Sequence, residues 1–139
     1  MRCLSDITCN RNPPIFPETA TVKEACESMR DREIGSVLIC DDKDRLVGIF
    51  TGRDAVRRVM AAGKNGKVTR LKDVMTKAPV TMAPEKSAIE ALRLMWDGGF
   101  RHLPLVDGHR IVGVISRNDF GSDERLTLDE ERVMWENLR

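Results

Sequence analysis

Apolar residues recur at helical spacing in two places along the chain, and each place begins with a capping signature. The first signature is Thr21-x-x-Glu24, and the apolar residues that follow it at helical spacing are Val22, Ala25, Cys26 and Met29. The second is Ser87-x-x-Glu90, which is followed at the same spacing by Ala88, Ala91, Leu92 and Met95. The pattern therefore predicts two amphipathic helices, each with one buried face.

Two short apolar runs separated by a polar turn follow each predicted helix. The runs cover residues 37–40 and 46–50 in the first half, and residues 103–106 and 111–115 in the second. Runs of this length across a tight turn are typical of β-hairpins, and Asp107-Gly108 is a strong turn sequence. After the first hairpin a further helix is predicted, whose inner face is made of Ala55, Val56, Val59 and Met60.

The two halves of the chain repeat one another. Residues 47–54 align with residues 112–119, 65 positions later, and residues 21–25 align with residues 87–91, 66 positions later. The change of one residue falls in a hairpin turn, where structures tolerate insertions best. We therefore expect an α+β fold built from two βαββα repeats. The expected segments are a first repeat (1–62), a basic linker (63–70), a second repeat (71–120) and a C-terminal helical extension (121–139).

The extension departs from the repeat. Residues 121–123, Gly-Ser-Asp, interrupt the helix that the first half would predict here. A new capping box, Thr127-x-x-Glu130, predicts the start of a C-terminal helix whose apolar residues are Leu128, Met134, Trp135 and Leu138.

Composition and charge narrow the classes of protein that fit. Of the 139 residues, 41% are hydrophobic and 32% are charged, and 23 basic residues balance 22 acidic ones to a net charge of +1. Such a chain has no overall attraction to nucleic acid or membrane, and apolar runs of about five residues cannot span a bilayer. Four cysteines without a C-x-x-C pair, two histidines and no secretory signal predict no metal and no disulfide framework. We therefore expect a reducing, cytoplasmic setting.

Three sequence features resemble the tandem cystathionine-β-synthase-type (CBS) domain pair, the Bateman module. They are a strand-ending G-h-h-[ST]-x-x-D motif, present at residues 48–54 and 113–119, the segment Phe100 to Asp107, and the segment Leu71 to Thr76. The resemblance covers about residues 4 to 120. It implies a pseudo-twofold disk with two clefts between the repeats. Family members bind adenosine-containing ligands in these clefts: AMP, ADP, ATP, S-adenosylmethionine or nicotinamide dinucleotides.

The repeated motif has side chains that suit a nucleotide. The carboxylates of Asp54 and Asp119 can accept hydrogen bonds from both ribose hydroxyls. The hydroxyls of Thr51 and Ser116 can donate to a phosphate beside the free N–H groups of a helix N-terminus. The motif thus predicts one ribose acceptor and one phosphate donor in each repeat.

Further ligand-binding candidates surround the motif. Arg101 offers a guanidinium fork for phosphate, and His102 adds a donor of adjustable charge. Arg53 and Arg117 lie inside the two motifs and are additional phosphate candidates. The predicted adenine slots are lined by Ile34, Ser36 and Leu38 in the first repeat and by Phe100, His102 and Pro104 in the second.

The motif also has a purely structural interpretation, because S/T-x-x-D is a helix-capping box. Two copies, accompanied by Arg101-His102, favour a ligand site over capping alone. The first repeat has Gly35-Ser36 where the second has Arg101-His102. Cationic recognition of phosphate is therefore expected mainly in the second repeat.

The sequence has no catalytic constellation and no P-loop, so we expect a regulatory module and no enzyme. Its expected ligand is an adenosine-containing nucleotide acting as a regulatory ligand, with no cofactor required, and its expected partner is an unidentified protein that it regulates. A homodimer is also expected, through apolar surface on Met29, Leu92, Met95, Trp96 and the helix of Trp135.

Two alternatives to the sensor stay open. One is a ligand-free dimerisation scaffold. The other is weak nucleic-acid binding through the basic stretch 53–72, in which no aromatic residue interleaves for base stacking.

Overall fold

The helices and hairpins of both repeats lie close to the positions that the capping signatures and apolar runs predict. The computed structural model describes residues 2–8 and 11–138, without the side chains of residues 122, 123, 126 and 127. The helices are α1 (Leu4–Thr8), α2 (Val22–Arg32), α3 (Gly52–Asp54), α4 (Leu71–Val74), α5 (Ala88–Gly98) and α6 (Ser122–Asn137). The strands are β1 (Ile15–Pro17), β2 (Ser36–Cys40), β3 (Leu46–Thr51), β4 (Thr76–Lys77), β5 (His102–Asp107) and β6 (Arg110–Ser116).

The described residues divide into two compact units. The first-repeat unit contains residues 12–80 together with 107–111. The second-repeat unit contains the described residues up to Arg11, together with 81–106 and 112–138. Each unit has its own cluster of buried apolar side chains.

The first-repeat unit is built on a sheet of four strands in the order β1-β2-β3-β4. β1 is parallel to β2, while the β2–β3 hairpin and the short β4 are antiparallel. Helix α2 begins with the predicted capping box, since Glu24 N–H donates to Thr21 Oγ1 at 3.2 Å and Thr21 N–H donates to Glu24 Oε2 at 3.0 Å. Its inner face packs on the sheet in a core that includes Ala25, Met29, Val37, Ile39 and Phe50.

Helix α3 continues as a π-wound segment over Ala55–Met60. The N–H of Ala61 donates to the carbonyl of Val56, five residues earlier, at 2.8 Å. The wider winding keeps Val59 buried, but Val56 is 63% exposed and Met60 is 77% exposed. The predicted inner face is therefore wrong at Val56 and Met60, because the angular spacing of an ordinary α-helix does not apply in this segment.

The second-repeat unit packs α5 and α6 on the β5–β6 hairpin. Its core contains Leu92 and Met95 from α5, Leu103, Leu105 and Ile115 from the hairpin, and Leu128 from α6. The predicted capping box at Ser87 and Glu90 is present. A parallel bridge between Met82 and Leu105 stands where β1 pairs with β2 in the first-repeat unit.

Helix α6 begins earlier than predicted. Its first residue is Ser122, and its N-cap Gly121 donates its N–H to Glu124 Oε1 at 3.1 Å. The backbone of Thr127 lies inside the helix, so the predicted start at Thr127 is wrong. The S/T-x-x-E pattern is not exclusive to helix starts, and here Glu124 makes only the return half of a capping box, because its carboxylate accepts from the N–H of the glycine N-cap.

Two short helices, α1 and α4, have equivalent surroundings. Leu4 N–H donates to Lys86 O at 3.0 Å, and Leu71 N–H donates to Ala20 O at 2.9 Å. The two donors are 67 positions apart in the sequence and the two acceptors are 66 positions apart, which is close to the repeat offset. Leu4 and Leu71 are fully buried. The opening helix of each repeat therefore belongs to the compact unit of the other repeat.

The exposed apolar surface differs from the predicted dimer surface. Met29, Leu92 and Met95 are buried in the cores of their own units, so the prediction that they supply that surface is wrong. Their side chains pack on the strands that the helices cover. The large apolar side chains that are exposed on α5 and after Leu128 are Trp96, Val133, Met134, Trp135 and Leu138.

Three cysteines lie among the described residues, and all three are free thiols that are partly buried. Burial raises the pKa of the Cys26 thiol, and burial together with the carboxylates of Asp44 and Asp41 raises the pKa of Cys40. Both thiols are therefore neutral and poor nucleophiles at neutral pH. Among the described residues, we find no helix with the length and apolar character that crossing a bilayer would need.

Candidate functional site

The first-repeat motif places a carboxylate at the end of β3. Thr51 is the N-cap of α3, and its N–H donates to Asp54 Oδ2 at 3.1 Å while Asp54 N–H donates to Thr51 Oγ1 at 3.2 Å. The motif therefore does form a capping box, as its structural interpretation predicts. This use engages one carboxylate oxygen and holds the side chain in place.

The second oxygen of Asp54 faces residues from two other elements. Arg58 Nε lies 3.6 Å from Asp54 Oδ1, and the hydroxyl of Thr76 lies 3.5 Å from Oδ1 and 3.4 Å from Oδ2. The Asp54 side chain is 13% exposed. Arg58 also donates from Nη1 to the carbonyl of Met75 at 2.9 Å, which fixes its guanidinium to the backbone.

The second-repeat motif repeats this arrangement at the end of β6. Ser116 N–H donates to Asp119 Oδ2 at 2.8 Å, and residues 117–119 form one 3-10 turn before α6. Asp119 Oδ1 forms an ion pair with Arg11, whose Nη2 lies 2.9 Å away, and the Asp119 side chain is 15% exposed. Both motif carboxylates thus have one oxygen on a backbone N–H and the other beside a guanidinium.

The predicted phosphate residues of the second repeat lie together but have different surroundings. Arg101 is exposed, and its carbonyl accepts from the N–H of Arg117 at 3.1 Å. Arg117 donates from Nη2 to Met95 O at 3.0 Å and stacks over Trp96 at 4.8 Å from the ring centroid. Burial, and then the charge of Arg101, lower the pKa of Arg117. The Arg117 guanidinium is thus committed to α5, whereas Arg101 faces solvent.

The residues predicted to line adenine slots occupy the strands beside the motifs. Ser36 is buried and pairs with Thr51 across the β2–β3 hairpin. Pro104 is fully buried in β5, and His102 at the start of that strand is half-buried. Arg53, the remaining candidate, is exposed on α3. The structure therefore brings Ser36, Thr51 and Asp54 together in one unit.

Two open depressions among the described residues of the first-repeat unit contain none of the predicted site residues. One, of about 650 Å³, is lined by residues that include Glu18, Val47, Lys72 and Met75. The other, of about 390 Å³, is lined by residues that include Cys40, Lys43 and His109. In the described ranges 2–8 and 11–138, no group of three or more His, Cys, Asp or Glu side chains could hold a metal ion.

Two tandem copies of one known domain account for this repeated geometry. The sequence profile of the CBS domain matches residues 4–61 and, a second time, residues 71–120. The chain belongs to the CBS-domain family.

Relatives of known sequence and structure carry the same domain. The chain is 37% identical to MK0525, an uncharacterized protein of Methanopyrus kandleri, over 102 residues that make up 73% of this chain and 52% of that protein. It is also 37% identical to the CBS domain-containing protein CBSCBSPB1 of Arabidopsis thaliana over 99 residues, which are 71% of this chain and 18% of that protein. The chain thus spans about half, or less, of the length of these curated relatives.

A solved CBS structure is similar over almost the whole chain. The CBS domain protein PAE2072 from Pyrobaculum aerophilum, determined in complex with AMP, matches with a TM-score of 0.82. The match covers 93% of this chain and 99% of that one, at 23% sequence identity. A likeness at this identity establishes the fold.

Three neighbours of the CBS motif carboxylates were missed by reasoning from the sequence. They are Arg58 and Thr76 beside Asp54, and Arg11 beside Asp119. Arg58 could have been found, because it stands four residues after Asp54 on one helix. Thr76 and Arg11 follow the aligned segments 71–74 and 4–7, but the offset of that alignment pairs them with Cys9 and Ala78, so the repeat itself contained no signal for either.

Proposed function

We propose that this CBS pair is a regulatory module that binds an adenosine-containing nucleotide and thereby regulates a partner protein. The ligand would be AMP, ADP or ATP, or alternatively NAD(H) or S-adenosylmethionine. The module would act without catalysis and without a required cofactor. The nucleotide is its regulatory ligand.

The observation that carries the proposal is the matching pose of Asp54 and Asp119. Each carboxylate is held by the N–H of the residue that ends its strand, at 3.1 Å for Thr51 and 2.8 Å for Ser116. A carboxylate has acceptor sites for about four hydrogen bonds, so each retains capacity for a ribose diol. Capping alone would not require a cation beside both carboxylates.

Electrostatics favour a phosphate-bearing ligand in the second repeat. Arg11 lies at Asp119 Oδ1, and the exposed Arg101 directly precedes the half-buried His102 at the start of β5. Guanidinium groups bind phosphate oxygens through paired N–H donors. The AMP in the complex of the structurally similar PAE2072 belongs to this ligand class.

The test is thermal unfolding of the chain with AMP and with adenosine. A ligand at about 100 times its Kd stabilises the fold by roughly 2.7 kcal/mol, which gives a readily measured rise in Tm. Asp119→Ala should weaken both ligands, because both present the ribose diol. Arg101→Ala should weaken AMP and leave adenosine nearly unchanged, because adenosine has no phosphate.

Asp54→Ala removes the equivalent carboxylate from the other repeat, so its comparison with Asp119→Ala shows which repeat binds the ribose. If neither AMP, adenosine nor another adenosine-containing cofactor raises the Tm of the wild-type chain, the sensor proposal fails and the dimerisation scaffold replaces it. If both ligands respond equally to Arg101→Ala, phosphate recognition by Arg101 is wrong.

We also propose that the chain is a homodimer. Trp96 is 44% exposed, and Met134, Trp135 and Leu138 are 62% to 72% exposed. Large exposed apolar side chains of this kind are typical of surfaces that contact another protein chain. Sedimentation at tens of micromolar protein, a concentration set by interfaces with Kd of about 1 μM or tighter, should give the mass of two chains. A monomer under these conditions would contradict the proposal.

The basic stretch 53–72 gives little support to nucleic-acid binding. Arg58 donates to Met75 O at 2.9 Å and Arg70 donates to Thr19 O at 2.8 Å, so two of its cations bind the chain's own backbone. A cytoplasmic setting remains part of the proposal, and the three free thiols among the described residues fit a reducing compartment.

A further inference from the structure

The second-repeat carboxylate is paired with a cation from outside either motif. Arg11 Nη2 lies 2.9 Å from Asp119 Oδ1, and the Arg11 side chain is 49% exposed. The Asp119 side chain is only 15% exposed, so a cation beside it offsets part of the cost of burying its charge. The same guanidinium stands at the proposed ribose acceptor, so a ligand bound by Asp119 would contact or displace it.

The segment that carries Arg11 is fixed to the second-repeat unit at several points. Leu4 is fully buried, and Arg2 donates from Nη2 to the carbonyl of Asp119 at 3.1 Å. Arg2 also forms an ion pair with Glu124 at the start of α6. The N–H of Arg11 donates to Thr8 O at 3.1 Å. Arg2 and Leu4 thus fix α1 to the second-repeat unit, the Arg11 backbone is bonded to Thr8 at the end of α1, and the Arg11 guanidinium lies at the Asp119 carboxylate.

The equivalent cation in the first repeat is held differently. Arg58 stands 3.6 Å from Asp54 Oδ1, but it also donates to the carbonyl of Met75 at 2.9 Å. Turning Arg58 toward a ligand would leave that carbonyl without its charged donor. Arg11 makes its ion pair from a half-exposed side chain, and a guanidinium has five N–H donors, more than one carboxylate oxygen can accept.

The other cations of the second repeat differ in how far their side chains are already bonded within the unit. Arg117 is committed to Met95 O and to the face of Trp96. Arg101 is exposed on the strand side of the motif. Of these cations, Arg11 is the one whose guanidinium lies at the Asp119 carboxylate itself, so it is the cation that a ligand with its ribose on Asp119 would meet first.

We propose that Arg11 determines the preference of the second-repeat site for a phosphorylated over an unphosphorylated nucleoside, by pairing with Asp119 in the empty site and with the ligand phosphate in the filled one. This inference rests on the proposed nucleotide site. In the empty site Arg11 neutralises Asp119, and in the filled site it supplies a charge-assisted hydrogen bond that adenosine cannot use.

The first experiment compares the affinities of AMP and adenosine for the wild-type chain and for Arg11→Gln. We expect Arg11→Gln to weaken AMP at least about tenfold, a change that corresponds to about 1.4 kcal/mol, and to change adenosine by less than about threefold. Arg11→Lys should recover part of the AMP affinity, because it restores the charge but not the planar fork. Arg45→Gln is the matched control, because Arg45 forms an ion pair of the same 2.9 Å length with Asp41 in the first hairpin turn, outside both motifs, and it should leave the ratio of the two affinities unchanged.

A second measurement tests the ion pair without any ligand. Trypsin must take the Arg11 side chain into its own pocket to cut the bond after Arg11, so pairing with Asp119 should slow this cut. Asp119→Asn keeps an acceptor oxygen for Ser116 N–H and removes the charge, and it should speed the cut after Arg11 relative to the cut after Lys64 in the exposed linker. AMP should slow the cut in the wild-type chain.

The outcomes separate the two proposals. If neither AMP nor adenosine binds the wild-type chain, the proposed function and the role of Arg11 both fall. If both ligands bind and Arg11→Gln leaves their affinity ratio unchanged, only the role of Arg11 falls. If Asp119→Asn leaves the cut after Arg11 unchanged, the empty-site pairing is overturned.

Discussion

The two CBS repeats share one local geometry and differ in what surrounds it. In both, a backbone N–H at the end of a strand holds the motif aspartate, and a guanidinium stands at its other oxygen. In the first repeat that guanidinium, Arg58, comes from the next turn of helix. In the second repeat it is Arg11, which comes from the opening segment of the first repeat.

The difference has a structural cause after the motif. In the first repeat the chain continues directly into the π-wound segment Ala55–Met60, which keeps Arg58 near Asp54. In the second repeat one 3-10 turn and Gly121 intervene before α6 begins. Duplication thus preserved the carboxylate and its backbone donor, while its cationic neighbour came to be supplied from different parts of the chain.

The largest expected contrast between the repeats concerns the buried residue in the helix that follows each motif. Leu128 is 2% exposed in α6 and Val59 is 4% exposed in the π-wound segment. Leu128→Ala should cost about 2–5 kcal/mol of unfolding free energy. Val59→Ala should cost less by roughly 0.8 kcal/mol, because valine is one methylene smaller. Urea unfolding measures both, and a neutral Leu128→Ala would mean that α6 does not pack on this core in solution.

Alanine substitution at the equivalent glycines, Gly48 and Gly113, should cost less stability than Leu128→Ala, and the cost should again differ between the repeats. A Cβ at Gly48 would lie 2.4 Å from Met75 Sδ and 3.1 Å from the carbonyl oxygen of Thr76, whereas a Cβ at Gly113 would lie 3.2 Å from two carbon atoms of Thr8. Overpacking of this kind typically costs 1–3 kcal/mol, so Gly48→Ala should lose about that much and Gly113→Ala less. Equal shifts in Tm would show that Met75 moves aside without cost.

The smallest contrast concerns the turns of the two hairpins. Asp41 Oδ1 accepts from the N–H groups of Lys43 and Arg45 at 2.9 Å each, and these bonds, that of Arg45 above all, lower the pKa of Asp41. A lowered pKa in the folded state adds stability that is present above the unfolded value of about 3.9 and is lost as pH falls through the folded value. Asp41→Ala should therefore lose stability at pH 7, and the loss should shrink toward strongly acidic pH.

The second hairpin provides the control for this pH dependence. Its turn uses Gly108 at φ 62°, a conformation that glycine adopts without strain. Gly108→Ala should lower the free energy of unfolding by an amount that does not depend on pH. A loss for Asp41→Ala that stays constant from neutral to acidic pH would rule out the carboxylate as its cause.

Local signals in the sequence predicted the parts of this fold that depend on local contacts. Both capping boxes and both hairpins follow from residues close together in the chain, and the structure confirms them. The prediction failed at Val56 and Met60, because winding with i→i+5 bonds is not visible in a pattern of apolar residues. It failed at Thr127 because the same pattern occurs within a helix and at its start.

The candidate site was predictable only in part for a related reason. The motif residues Thr51, Asp54, Ser116 and Asp119 stand together in sequence, so their geometry is local. The ion pair between Arg11 and Asp119 joins residues 108 positions apart, and it depends on where α1 packs. β4 escaped prediction because a strand of two residues carries no alternation to detect.

The exchanged positions of α1 and α4 have a consequence for how such a chain can be divided. Cutting the molecule in the linker would produce two fragments, and each would carry the opening helix that the other fragment's compact unit needs. Neither fragment would then possess a complete core, whereas the two mixed together would contain every part of both. The ancestor with a single repeat, before duplication, would have met the same requirement by trading its opening helix with a second molecule. Fusion of two such molecules into one chain makes this exchange intramolecular. The folding of each unit then depends on a helix from the other repeat.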